Sequence, residues 1–179
     1  MFRQVAFAAL VITALGIAVH AVHRRGRRAE PEPRPACPVA RLIRMVAAVL
    51  LMVCVLALAA TGFYPRLFHD QALSGYLLML HVALGGVFMA SLAGCGVVWA
   101  WDHWIRACPW GRKIAFWLML TSGVPTVLAV LMNFFPLFGT AWQGPLLEIH
   151  RISALVCLIS AVVWGYGMVR RIELKGQNP

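Results

Sequence analysis

Two histidines stand inside long apolar runs: His81 in "LHVALGGVF" and His150 in "LLEIHRISALV". A polar side chain at membrane depth is expensive and usually functional. A neutral imidazole there has a short list of uses, of which binding a metal and carrying a proton are the main two. The residues that follow each histidine at helical spacing narrow the choice. Below His81 the same stripe carries Gly85, Phe88, Leu92 and Gly96, and below His150 it carries Ala154, Cys157 and Ala161, with Trp164 closing it. Small residues next to a ligand and bulky apolar residues around them suit a flat macrocycle held between helices. Two imidazoles at one depth on different helices could then grip a single haem iron from both sides. A plainer account stays open, because small residues also let membrane helices pack closely. Each histidine would then be hydrogen-bonded in a helix interface or would reach to the membrane lip.

The elements that must position these side chains follow from hydropathy. The chain has 179 residues and is 61% hydrophobic, well above the roughly 45–50% usual in soluble domains. A bilayer core needs about 20 mostly apolar residues per helix, and five stretches qualify: about 4–22, 42–63, 74–101, 114–135 and 147–169. The first has a small residue at a potential signal cleavage point. The basic "HRRGRR" that follows opposes export, so it reads as a retained span.

The formal charge of +10 would suggest nucleic acid in a soluble protein. Here the cations flank apolar runs, so membrane topology explains them and no nucleic-acid partner is expected. Arg24, Arg25, Arg27, Arg28, Arg34, Arg41 and Arg44 lie between spans one and two, with three more cations in the 102–113 loop and three in the C-terminal tail. The opposite side has only Arg3, Arg66 and Arg151. This bias predicts an N-terminus outside and a C-terminus in the cytoplasm. His81 and His150 then sit at similar depth near the outer face, one to two turns inside spans three and five.

The expected fold is all-α, an integral membrane four-helix bundle over 41–170. It is preceded by an extra transmembrane helix over 1–22 and a basic, proline-rich cytoplasmic linker over 23–40, and followed by a tail over 171–179. Short connections favour up-down packing of the four, and Pro125 and Pro136 mark a kink in span four and its end. Five cysteines, at 37, 54, 95, 108 and 157, form no C-x-x-C or C-x-x-C-H pattern. That argues against a structural zinc site, a dithiol redox motif and covalent c-type haem attachment. Those inside spans read as buried, inert thiols. Of the remaining histidines, His20 and His23 lie at the end of span one, His69 beside Asp70 in a loop, and His103 among interface tryptophans in "WDHWIR". Surface or anchoring roles suit all four.

With these residues placed, the last four spans resemble the di-haem cytochrome b membrane subunit of respiratory formate dehydrogenases, and are similar to bacterial cytochrome b561 and hydrogenase cytochrome b proteins. "RLIRMVAAVLLMVCVLALAATGF" resembles the family's first core helix, which begins Arg-x-x-His-Trp and ends near Thr-Gly. "LHVALGGVF" and "LLEIHRISALV" resemble its haem-ligating second and last helices. The resemblance implies His81 and His150 as iron ligands. It also implies that Arg44 and Trp164 stand where the family has the two ligands of a second, cytoplasmic haem. Trp164 lies fourteen residues after His150, about 21 Å along a helix, so the two positions belong to opposite membrane faces. Arginine is a poor iron ligand and tryptophan offers only a donor. A single bis-His haem b is therefore expected, with Trp164 filling part of the other position.

The resemblance further implies a cytochrome b subunit of an oxidoreductase complex in the bacterial inner membrane, either non-catalytic or reacting with quinone. It would exchange electrons between a periplasmic iron–sulfur or c-type cytochrome subunit and the quinone pool. Arg151 and Arg66 would face haem propionates or, equally, lipid phosphate. Gly85 would give the macrocycle room. Tyr76, Trp142, Gln143 and Glu148 are the polar groups available for quinone at the outer lip, although a carboxylate at a helix N-terminus also suits the dipole. The competing expectation is a haem-free membrane anchor for a respiratory complex, which would have no need to keep His81 and His150 together. No acidic residue lies deep in a span, which counts against a proton-relay transporter.

Overall fold

A computed structural model describes residues 2–23, 38–68, 73–105, 110–135 and 139–176. They form five α-helices: α1 Phe2–His23, α2 Pro38–Phe68, α3 Gly75–Ile105, α4 Trp110–Phe134 and α5 Gln143–Gly176, with a single 3-10 turn, Thr140–Trp142, before the last. All five are long and apolar enough to cross a membrane, and no strand occurs among the described residues. In lipid a helix satisfies its own backbone hydrogen bonds, so apolar runs of this length have little alternative. Proline opens α2, where its missing N–H is not needed, and α4 stops two residues before Pro136. The helix α4 runs unbroken through Pro125.

The helices overrun the apolar stretches by up to two turns at some ends. Helix α3 carries Asp102 and His103 on its last turn, and α5 continues to Gly176, where the sequence suggests a loop and a tail. Hydropathy marks only what lies in lipid, whereas backbone hydrogen bonding carries a helix further, until a turn residue stops it. Most of the basic linker, together with Cys37, His69, Asp70 and Cys108, lies outside the described residues, as do the side chains of His23, Arg41, Arg66 and His103.

Helices α2 to α5 form a closed ring. Each packs on the next and α5 returns to α2, the α4–α5 and α2–α3 pairs being the most extensive. No close backbone approach joins α3 to α5, or α2 to α4. The histidine-bearing helices are therefore the ones that face each other across the middle. Outside the ring, α1 lies against α5 and α2. Ala6 of α1 is fully buried there, Phe2 stacks on Phe63 at 6.2 Å between ring centres, and His20 meets the Tyr166 hydroxyl at 3.3 Å.

The core occupies one end of this ring. Leu51, Cys54, Val55, Phe88, Leu92, Cys95, Trp99, Ala115, Phe116, Met119, Cys157, Leu158, Ala161 and Trp164 form one buried cluster. Packing in it is close. A Cβ placed on Gly123 would stand 2.3 Å from Leu92 Cδ2, and one on Gly165 would stand 3.0 Å from Met52 Cε. Without a strong hydrophobic force between helices in lipid, such van der Waals fit is what holds them. Trp164 is wholly buried, edge-on to Trp99 at 5.3 Å and 6.1 Å from Phe116. Trp164, the residue that the resemblance sets at a second-haem position, packs among aromatic rings. Cys54, Cys95 and Cys157 are free thiols and buried, as their apolar surroundings suggest.

Candidate two-histidine site

At the other end of the ring, α3 and α5 bring His81 and His150 together. Their ring centres are 6.4 Å apart and their planes nearly perpendicular, at 79°. Both imidazoles are only partly exposed. Each is held at Nδ1 by a different neighbouring helix. His150 Nδ1 lies 2.9 Å from the Thr126 carbonyl of α4. A carbonyl only accepts, so Nδ1 carries the proton and Nε2 keeps its lone pair. His81 Nδ1 lies 2.8 Å from the Thr61 hydroxyl of α2.

The sequence folds this way locally because small and hydroxyl residues sit at the contact points. Gly62 lets the His81 ring lie against α2: a Cβ there would be 2.9 Å from His81 Cε1. On α4, the buried Thr126 hydroxyl meets Ser153 of α5 at 2.8 Å, and Ser153 also bonds the Ile149 carbonyl of its own helix at 2.7 Å. These hydroxyls fasten α4 to α5 within a turn of His150. Close helix contact through small and hydroxyl residues is the usual solution in lipid.

Between the histidines and the packed core lies a thinner layer. Although Ala129, Leu146 and Leu155 are also buried closer to the site, Val55, Phe88, Met119 and Cys157 are the members of this cluster nearest to Thr61, His81, Thr126 and His150. Each is six or seven residues away, about 9–10 Å along its helix. Gly85 falls in this gap on the same stripe as His81, Phe88 and Leu92, yet a Cβ added to it would meet nothing within 4 Å. Ala154 is its small counterpart on α5.

Two imidazoles from facing helices could serve as a pair of metal ligands. A ligating imidazole nitrogen lies about 2 Å from its metal and about 1.2 Å from its own ring centre, so ligands on opposite sides stand roughly 6 Å between centres. The 6.4 Å observed here is close to that spacing, and it also lies in the ordinary range of an edge-to-face ring contact. Among the described residues no three His, Cys, Asp or Glu side chains cluster as a bare metal ion would need. Two imidazoles supply two donors, and a macrocycle would supply the remaining positions. With His150 Nε2 unprotonated, both rings held and room beside Gly85, the residues present can accommodate a haem.

The other expected site residues are placed differently. Arg151 pairs with Glu148 one turn away on α5. Tyr76, Trp142 and Gln143 are exposed at the same end of the ring as the histidines. Arg44 lies on the first turns of α2, at the opposite end. Thr61, Gly62 and the Thr126 carbonyl were not legible as site components. The Thr-Gly pair in "AATGF" was the available signal, but a hydroxyl acquires meaning only once a partner helix is set beside it.

Compared with protein-family models, with curated proteins and with solved structures, the chain matches none. The cytochrome b resemblance rests on the quoted motifs alone.

Proposed function

We propose that the chain is an electron-transfer subunit of the bacterial inner membrane that holds one haem b between His81 and His150. One observation carries the reading: two imidazoles from facing helices stand at the separation of opposed ligands, and each is tethered through Nδ1. Ligating histidines are generally oriented in this way through the nitrogen not used for the metal. A haem held there would supply a one-electron iron centre.

The chain's own residues supply position and environment. The hydroxyl of Thr61 and the carbonyl of Thr126 aim the rings, and Gly85 and Ala154 leave room beneath them. The packed layer from Phe88 and Cys157 onward keeps water from the site on that side. The Lys/Arg bias supports placing the histidine end at the periplasmic face. The partner there would be an iron–sulfur or c-type cytochrome subunit, with the quinone pool completing the circuit. Tyr76, Trp142, Gln143 and Glu148 are the polar groups of this chain at that end.

The test is a pyridine-haemochrome measurement on the purified protein. A reduced b-type α band with close to one haem per chain supports the proposal. No band leaves the haem-free anchor as the better account, and a ratio near two contradicts the assignment of Arg44 and Trp164 to a lost site.

A further inference from the structure

The two histidines are tethered unequally. His150 leans on a backbone carbonyl, which fixes its tautomer outright. His81 leans on a hydroxyl, which can donate or accept, so its tautomer depends on where the Thr61 proton goes. That proton has a place. Thr61 Oγ1 lies 2.8 Å from the carbonyl of Ala57 and 3.2 Å from that of Leu58, both on its own helix. A hydroxyl has one proton and two lone pairs. Once the proton is given to the α2 backbone, Oγ1 has only lone pairs to offer His81 Nδ1. The ring must then donate from Nδ1, which leaves Nε2 unprotonated. Gly62, the next residue, admits the ring to this position.

We infer that Thr61 is a positioning residue that fixes His81 as its Nδ1–H tautomer and so keeps Nε2 available as a ligand. The consequence for iron rests on the proposed haem function, but the tautomer itself does not. Accepting from Nδ1–H also raises the basicity of Nε2, which favours ferric over ferrous iron. The substitution Thr61→Val keeps the shape and removes the acceptor. Thr61→Ser keeps the acceptor.

Two readouts separate this inference from the haem proposal. The first is the 15N imidazole spectrum of the protein with no haem added. His81 should report the Nδ1–H tautomer in the wild type and in Thr61→Ser, and a mixture in Thr61→Val. The second is haem titration with redox potentiometry. Thr61→Val should bind haem about ten- to a hundred-fold more weakly, the range usual for lost support of a ligand, with its midpoint potential raised. Thr61→Ser should resemble the wild type. If Thr61→Val leaves the His81 tautomer unchanged, or if Thr61→Ser behaves as Thr61→Val does, the inference is overturned. A wild type that binds no haem but shows the tautomer change would end the haem proposal and leave the role of Thr61 standing.

Discussion

The two ends of the helical ring solve the same packing problem in opposite ways. At one end Trp99, Phe116, Met119 and Trp164 fill the middle with side chains, and the buried Trp164 indole N–H has no hydrogen-bond partner among the described residues. At the other, two imidazoles reach inward, hydroxyl and carbonyl groups hold them, and a glycine on the inward stripe faces open space. Packing at the tryptophan end comes from apolar and aromatic side chains. The histidine end spends polar contacts on orienting two rings, which helps little unless the rings have something to hold.

This contrast can be broken most sharply at the histidines. Replacing His81 or His150 by Ala should abolish the reduced α band of the proposed haem, while His20→Ala, which removes the contact of α1 with Tyr166 of α5, should leave it; difference spectra decide. Next in size is Trp164→Ala. Removing a buried Trp costs about 3–5 kcal/mol, so unfolding in mixed micelles should show a large destabilisation, yet haem per folded chain should stay the same. A fall in haem content together with stability would mean the two ends are not independent. Glycine substitutions probe the same contrast more finely. Gly123→Ala should cost about 1–3 kcal/mol through overpacking against Leu92. Gly85→Ala should cost nothing measurable, and Gly85→Phe should exclude haem while leaving the fold intact. The smallest effect belongs to Glu148→Gln, which removes a surface ion pair within one helix. Its effect on stability should stay below about 0.5 kcal/mol.

Much of this was legible in the sequence. Apolar length gave the number of helices, because a bilayer leaves few options for such segments. The depth of His81 and His150 followed from counting residues into spans three and five, and the structure brings the two together. Helix ends were less legible: α3 and α5 continue through residues whose polarity suggested a loop and a tail. The tethers of the histidines were not legible at all. Thr61 is twenty residues from His81 and Thr126 is twenty-four from His150, and no periodicity within one helix shows which face of α2 or α4 will turn toward them. Trp164 as a filled position was an expectation from motif comparison. The structure shows Trp164 wholly buried against Trp99 and Phe116, which does not bear on whether a second haem was ever held there.

The uneven core also bears on the order of assembly. Local opening follows the density of buried contacts, so under the proposed function the histidine end is where opening would cost least. A large flat cofactor could thus be loaded late, through transient separation of α3 and α5 at one end, with the rest of the ring already closed. If the proposed haem is bound, its insertion would then require no unfolding of the membrane domain.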